Sequence, residues 1–411
     1  MTRIIHTADW HLGARLIDCD RHEEHRAFLD WLLGQLEELR PDLLIVAGDI
    51  FDGATPPQEA LTLYYRFLSR LATGARCQTL ILGGNHDSPA TLHAPREVLR
   101  ALDVRVIASP PDDPTDGLLE FEDVVVGAMP FLRERDVRLA TPGQSADEVA
   151  AAIRQGVADR YRALYTFARA KAGERPIIAT GHLTAVGSVS SPSERIIHIG
   201  NLGAVSTACF EGFAYTALGH IHRPQNIGGD DRVRYAGSPL PLSFAEVDLP
   251  KEIRVIDIEG TQLTQRAIGI PIFRRVLRLT TEADSLATEL ARHQAASGES
   301  LVPWVELTVS DGRSHPDLDR QVREAAKDLQ LRVLKVLTPA LPRLGDAHPH
   351  ASLATRPSLD DMRPEQVFRE RLLREQIDPE SNEARVLVVT FAELLSKLHE
   401  GMPTEIAEPT E

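Results

Sequence analysis

Leu43-Leu44-Ile45-Val46-Ala47-Gly48-Asp49-Ile50-Phe51-Asp52 is the stretch whose reading decides the fold. Five apolar residues in a row read as a strand buried on both faces, after which the chain breaks at Gly48 and presents two carboxylates, Asp49 and Asp52. Taken alone, Asp49 could do no more than cap the helix that begins near Pro57. Its neighbours change that reading. Upstream, Ile4 to His11 is a second short apolar run ending in Asp9-Trp10-His11. Downstream, Thr79-Leu80-Ile81-Leu82 ends in Gly83-Gly84-Asn85-His86-Asp87. Three strands thus deliver metal-type side chains to one end of a sheet.

Working outward, residues 20–39 place Phe28, Leu29, Leu32, Leu33, Leu36 and Leu39 at helical spacing, with Pro41 closing the unit. A second helix is predicted over Gln58 to Leu71 and a third, short one over Glu97 to Leu102. Strands follow at Val104 to Ile107 and Val124 to Gly127, separated by a Pro/Asp-rich surface loop. A long helix from Ala146 to about Ala172 precedes the strand Pro176 to Thr180, which ends in Gly181-His182. The strand Tyr215 to Leu218 ends in Gly219-His220-Ile221-His222. Two strands with less chemistry, Val233 to Ala236 and Ile253 to Ile258, complete a pattern that suggests α/β architecture, two packed sheets flanked by helices.

A composition shift near Pro271 opens a second region, where residues 272–338 read as strand, helix, strand, helix, strand without a metal-type cluster. The expected layout is a main domain at 1–270, a small α/β domain at 271–340, a Pro- and His-containing linker at 341–357, helices within 358–402, and an acidic tail at 403–411. The two last helices, Pro364 to Gln376 and Glu383 to His399, carry an apolar side that includes Val367, Phe368, Leu372 and Leu373. A pair of short helices after a linker cannot cover both apolar faces alone, so a partner chain is the expected destination.

Composition limits the function. The length of 411 residues asks for two or three domains. Only 3 cysteines, Cys19, Cys77 and Cys209, rule out a disulfide framework or a Cys-x-x-Cys zinc site and fit a reducing cytoplasm. The N-terminus runs straight into a strand, and no apolar run is long enough to span a membrane, so a soluble cytoplasmic protein is expected. A net charge of −15 argues against a protein that coats nucleic acid with Lys and Arg, but not against a nuclease whose metal ions face the phosphates.

Collected, the strand-end side chains are Asp9, His11, Asp49, Asn85, His86, His182, His220 and His222. A single histidine after a strand is more often structural than a ligand, but five such sites in order point to a metal centre. Carboxylate, amide and imidazole without thiolate suit Mn²⁺ or Fe²⁺, and the count exceeds the needs of one ion. One carboxylate bridging two ions would hold them about 3.5–4 Å apart, a spacing at which a bridging hydroxide and a phosphate can be clamped together. Asp49, lying between the two sets in the chain, is the candidate bridge. His86 follows Asn85 directly, so its side chain can face the leaving group and donate a proton, with Asp87 expected to hold its ring.

These residues carry a resemblance. Asp9-x-His11, Gly48-Asp49-x-x-Asp52, Gly84-Asn85-His86-Asp87, Gly181-His182 and Gly219-His220-x-His222 resemble the five motifs of the calcineurin-like metallophosphoesterases. Within that superfamily the chain is similar to the bacterial SbcD exonuclease subunits, through Thr7 to Gly13, Gly84 to Pro89, Ala179 to Thr184 and Tyr235 to Phe244. The likeness covers roughly residues 1–260, and the remainder in layout only. It implies that Asp9, His11, Asp49 and His222 hold one ion, that Asp49, Asn85, His182 and His220 hold the other, and that His86 is the catalytic histidine. It further implies two divalent ions such as Mn²⁺, DNA as substrate, a homodimer of nuclease subunits, a capping domain at 271–340, and C-terminal helices that bind an SbcC-type coiled-coil ATPase in a heterotetramer.

The expected function is therefore a metal-dependent DNA nuclease subunit, a double-strand exonuclease and single-strand or hairpin endonuclease acting in repair, recombination and replication. A phosphatase or cyclic-nucleotide phosphodiesterase could use the same ligands, but would not need the small domain or the C-terminal helices. A non-catalytic scaffold on the same fold is disfavoured by the intact ligand set.

Overall fold

The computed structural model describes residues 1–75, 77–138, 145–191, 204–339 and 391. The chain forms two compact units, Met1–Pro339 and Ala340–Glu411. The predicted linker at 341–357, the helices Pro364 to Gln376 and Glu383 to His399, and the tail at 403–411 all lie outside the described residues, apart from the single position Phe391.

Two six-stranded sheets make the body of the first unit. In the first sheet Thr2–Thr7, Leu43–Val46, Gln78–Leu82 and Val104–Ile107 run parallel, while Glu252–Glu259 and Gln262–Gly269 complete it as an antiparallel edge. In the second, Val125–Met129, Ile177–His182, Tyr215–Gly219 and Asp230–Tyr235 run parallel, with Leu118–Glu120 and Gln225–Ile227 antiparallel at the two edges.

Successive side chains on a strand face opposite ways, and each sheet has cover on both sides. From the first sheet Ile4, Ile45, Leu80 and Leu82 point inward and meet Val124, Val126, Ile178, Tyr215 and Ala217 of the second. Ile5, Leu44, Val46 and Ile81 point outward under the helices His22–Leu39 and Gln58–Thr73. The helix Ala146–Ala172 covers the outer face of the second sheet through Val157, Tyr161, Leu164 and Ala168. This two-sided burial explains why the strands read as unbroken apolar runs. All three cysteines are free and buried, Cys77 and Cys209 in these cores and Cys19 outside them.

The hairpin strand Gln262–Gly269 is absent from the sequence reading. It pairs along its whole length with Glu252–Glu259, from Glu252–Gly269 to Glu259–Gln262, through the turn at Gly260. It lies at the sheet edge with mostly exposed residues, so it carries no apolar run to betray it. A short helix Pro89–His93, capped by Ser88 Oγ accepting from Thr91 N at 3.3 Å, is likewise an addition to the sequence reading; the predicted third helix is Arg96–Arg100.

Residues 276–337 form a three-stranded parallel sheet of Val276–Thr281, Trp304–Val309 and Arg332–Leu337, with the helices Leu286–His293 and Leu318–Ala326 packed on it. This small fold belongs to the same compact unit as the two large sheets. Its joint to them is a buried charge chain. Glu24 accepts from Arg21 Nε at 3.1 Å and from Arg274 Nε at 3.0 Å, and the Arg274 guanidinium lies 4.1 Å over the Trp304 ring. Arg21 also donates to the Pro241 carbonyl. Leu16, Cys19, Phe244, Val276 and Trp304 form the apolar part of the joint.

Candidate metal centre

The ends of the strands Thr2–Thr7, Leu43–Val46, Gln78–Leu82, Ile177–His182 and Tyr215–Gly219 converge at one rim of the paired sheets, and the backbone there is unusual. Among the described residues seven non-glycine positions have positive φ, and four of them are Asp9 (53°), His11 (46°), Asp49 (50°) and His220 (102°). Left-handed backbone is costly for residues with a Cβ and concentrates where side-chain direction matters. At Asp9 and His11 the cause is visible. Trp10 between them is fully buried, edge-on to Phe28 and Phe67 at centroid distances of 5.9 and 5.3 Å, with Nε1 donating to Thr7 Oγ1 at 3.1 Å. Driving Trp10 under the helices turns its two neighbours toward the rim.

The strand ends are stitched together by backbone bonds. Asp9 N donates to Gly48 O at 3.0 Å, His11 N to Asp49 O at 3.0 Å and Leu12 N to Ile50 O at 2.9 Å. Space is tight enough to require glycine at several places, two of them against side chains of the cluster. A Cβ on Gly48, where φ is +93°, would collide with the His182 ring, and one on Gly84 with the Asp49 carboxylate.

Asp49 does not cap a helix: Pro57 is the N-cap of Gln58–Thr73 and no side chain bonds there. Instead Asp49 lies in two ligand groups. Asp9, His11 and Asp49 have ligand atoms within 4.8 Å of one another, and so do Asp49, His182 and His220. Its Oδ2 is 3.2 Å from His182 Nε2 and 3.6 Å from His11 Nε2, while its Oδ1 accepts from His86 N at 3.0 Å. Asn85 Oδ1 stands 2.9 Å from both His182 Nε2 and His220 Nδ1. His222 lies beside these groups without being in either, its ring centroid 5.1 Å from that of His11. Six of the seven predicted ligands, all except the half-buried Asn85, are buried.

The donor and acceptor count is what a cation site looks like. His182 Nδ1 is 2.8 Å from the Ala47 carbonyl, to which it donates, so in a neutral ring Nε2 carries a lone pair. That nitrogen faces two oxygen acceptors, Asn85 Oδ1 and Asp49 Oδ2. His11 Nδ1 donates to Asp52 Oδ1 at 3.1 Å, so its Nε2 is likewise an acceptor, and it has no hydrogen-bond partner. Asp9 Oδ1 accepts from His220 N at 2.8 Å while Oδ2 is buried and unpartnered. Buried acceptors without donors are expensive unless a proton or a metal lies among them. The residues present fit divalent metal ions.

Charge balance agrees. Burial pushes Asp9 up to about 8, against the charge of His182. Burial works against a charged His11 and a charged His182, yet the hydrogen bond to Asp52 and the charges of Asp49 and Asp9 outweigh it for the first, and Asp49 and Asp9 for the second, so both rise to about 9. Burial would also raise Asp49, but the charge and hydrogen bond of His182, with His11 and His86, hold it well below the usual carboxylate range. Metal-free, the cluster holds protons where the ions would sit.

His86 is half-buried at the mouth of the cluster, its ring 4.8 Å from that of His11. The expectation that Asp87 holds this ring is corrected by the structure. Asp87 is buried and turned away, accepting from Gly84 N at 2.9 Å, Phe51 N at 3.0 Å and Ile50 N at 3.1 Å, so it shapes the two ligand loops. His86 Nδ1 instead donates to the Asp52 carbonyl at 2.8 Å, which leaves Nε2 buried without a hydrogen-bond partner. Asp52 therefore serves two histidines, a role that its position three residues after Asp49 did not reveal. Glu246, whose Oε1 is 3.3 Å from His222 Nδ1, also escaped the sequence reading, because it lies in no strand-end motif.

Comparison with known proteins identifies the family. A family model for calcineurin-like phosphoesterases matches residues 2–224, and one described as the type 5 capsule protein repressor C-terminal domain matches residues 272–376. The SbcD subunit of the SbcCD nuclease of Escherichia coli (strain K12) is 36% identical over 411 residues, covering 97% of this chain and 100% of the relative. The SbcD subunit of Rhodobacter capsulatus is 35% identical over 383 residues, covering 86% and 92%, and that of Bacillus subtilis 30% over 354 residues, covering 84% and 83%. The chain belongs to the calcineurin-like phosphoesterases and, within them, to the family of SbcD nuclease subunits.

Proposed function

We propose that this chain hydrolyses DNA phosphodiester bonds with two divalent ions, Asp9, His11, Asp49 and His222 holding one and Asp49, Asn85, His182 and His220 the other. The observation that carries the reading is the membership of Asp49 in both buried ligand groups. When bound, such ions polarise the phosphodiester and generate the nucleophile from water. The chain's own residues do the rest. Asp52 orients His11 through Nδ1, and Ala47 O orients His182, so that each presents Nε2. His86, held by the Asp52 carbonyl, protonates the leaving oxygen from Nε2, a buried atom with no hydrogen-bond partner of its own. Asp87 acts by fixing the 49–52 and 84–87 loops rather than by touching substrate.

Mn²⁺ is the proposed physiological ion, because the ligand set has oxygen and imidazole but no thiolate. The proposed setting is the cytoplasm, supported by three buried free cysteines; no helix among the described residues is long and apolar enough to cross a membrane. The proposed assembly is a homodimer of this chain with an SbcC-type ATPase in a heterotetramer, acting in repair, recombination and replication. Residues 1–270 would be the nuclease domain, 271–340 a capping domain and 358–402 the ATPase-binding helices.

Purified protein assayed on end-labelled duplex and hairpin DNA with Mn²⁺, with and without the ATPase, tests the activity. Metal-loaded protein that cleaves a small phosphomonoester or cyclic nucleotide but no DNA would favour the phosphatase reading. A chain ending near Ala340 should keep its metals and a basal nuclease activity and fail to co-purify with the ATPase; retained co-purification would move the interface to residues 273–337.

A further inference from the structure

Tyr235 to Phe244 contributed to the resemblance without showing any chemistry of its own. In the structure its continuation, residues 238–251, closes around His222. Glu246 is fully buried in the turn Phe244–Glu246. Its Oε1 lies 3.3 Å from His222 Nδ1 and accepts from Ser191 Oγ at 3.0 Å, and its Oε2 accepts from Lys251 Nζ and Leu242 N, each at 3.1 Å. Lys251 Nζ also donates to the His222 carbonyl at 3.2 Å and to Ser238 Oγ at 2.8 Å, and Ser238 N donates to that same carbonyl at 3.1 Å. A buried carboxylate and a buried ammonium thus hold one histidine at its ring and at its backbone. The turn itself is pinned, since Phe244 packs with Val276 and Trp304 of the small sheet.

We propose that Glu246, backed by Lys251, is a positioning residue that fixes the tautomer and direction of His222, so that His222 offers Nε2 to the ion shared with Asp9 and His11. A carboxylate accepting from Nδ1–H settles which nitrogen keeps the lone pair and raises its basicity, an effect worth about 10–100-fold in metal affinity. The inference rests on the reading of His222 as a ligand.

Mn²⁺ titration calorimetry and elemental analysis on the full chain distinguish the two, using Glu246→Gln, Glu246→Ala, His222→Ala and the double variant. His222→Ala is expected to weaken one equivalent of two. Glu246→Ala is expected to weaken the same equivalent by about 10–100-fold, and Glu246→Gln, which keeps an acceptor for Nδ1–H, by less. In the His222→Ala background Glu246→Ala should add nothing to the loss, and nitrogen NMR should report mixed His222 tautomers in Glu246→Ala before any metal is added. Two ions bound at wild-type affinity by His222→Ala would overturn the ligand reading and this inference with it. Loss in His222→Ala but wild-type affinity in both Glu246 variants, or additive losses in the double variant, would overturn the inference alone.

Discussion

The metal centre and the joint to the three-stranded sheet are both buried clusters of charge, built on opposite principles. At the joint every charge has its counterpart: Arg21 and Arg274 meet Glu24, Arg274 also meets Glu23, and the remaining donors find the Pro241 and Val302 carbonyls. None of these charged residues stands at positive φ. At the metal centre acceptors face acceptors, Asp9 Oδ2 and His11 Nε2 are unpartnered, and four side chains are aimed by left-handed backbone. The lesson is that burial of charge does not mark a functional site. Incomplete pairing on strained backbone does.

The largest effect should come from Asp49→Ala. Because Asp49 belongs to both ligand groups, elemental analysis should find both ions lost and nuclease activity abolished. Retention of two equivalents of Mn²⁺ at wild-type affinity would remove Asp49 as the bridge.

His86→Ala should separate chemistry from metal binding. Turnover should fall by roughly 10²–10⁴-fold, the usual size of a lost general acid, with metal occupancy near normal. Loss of metal in this variant would make His86 a ligand instead.

Arg274→Ala attacks the joint. Glu24 keeps Arg21 but loses its bond to Arg274, which should cost about 1.5–3 kcal/mol by chemical denaturation. Both ions should stay bound in the folded protein. An unchanged denaturation midpoint would mean that the apolar contacts of Val276 and Trp304 alone fix the small sheet.

The gentlest test is proton release. With Asp9 raised to about 8 and His11 and His182 to about 9, the metal-free site carries protons at pH 7 that an ion must displace. Adding Mn²⁺ at pH 7 should acidify an unbuffered solution, apparent affinity should rise with pH, and the release should fall through about pH 8–9 and be nearly gone about one pH unit higher. No release at pH 7 would show that the site is already deprotonated and that neighbouring charges do not compensate one another as described.

Much of the fold was legible because function and burial coincide along the chain. Each proposed ligand lies at or just beyond the end of a strand buried on both faces, so the apolar runs at Leu43 to Ala47 and Thr79 to Leu82 announce both the sheet and the candidate site. What stayed hidden has a common physical cause, namely contacts made by residues whose local sequence carries no period. Gln262–Gly269 is an exposed edge strand, recognisable only through its pairing with Glu252–Glu259. Asp87 is next to His86 in the chain, but consecutive side chains diverge, and Asp87 faces the loop amides. Asp52 and Glu246 reach their histidines from 41 and 24 residues away, a closeness that depends on how the loops close.

The place of Thr2–Thr7 inside the first sheet bears on how the molecule comes to be made. Ile4 pairs with Leu43 on one side and with Ile256 on the other, so Thr2–Thr7, made early, waits for nearly the last strand of the large sheets before its second edge is covered. At roughly 5–20 residues per second the wait lasts on the order of tens of seconds, with an open strand edge available for wrong pairing. The proposed ligands emerge in the same sequence, Asp9, His11, Asp49 and Asn85 first, then His182, His220 and His222. A nascent chain therefore displays the carboxylates of the centre well before its second-sheet imidazoles exist, and a chaperone that shields the edge of Thr2–Thr7 would also shelter half of a metal site.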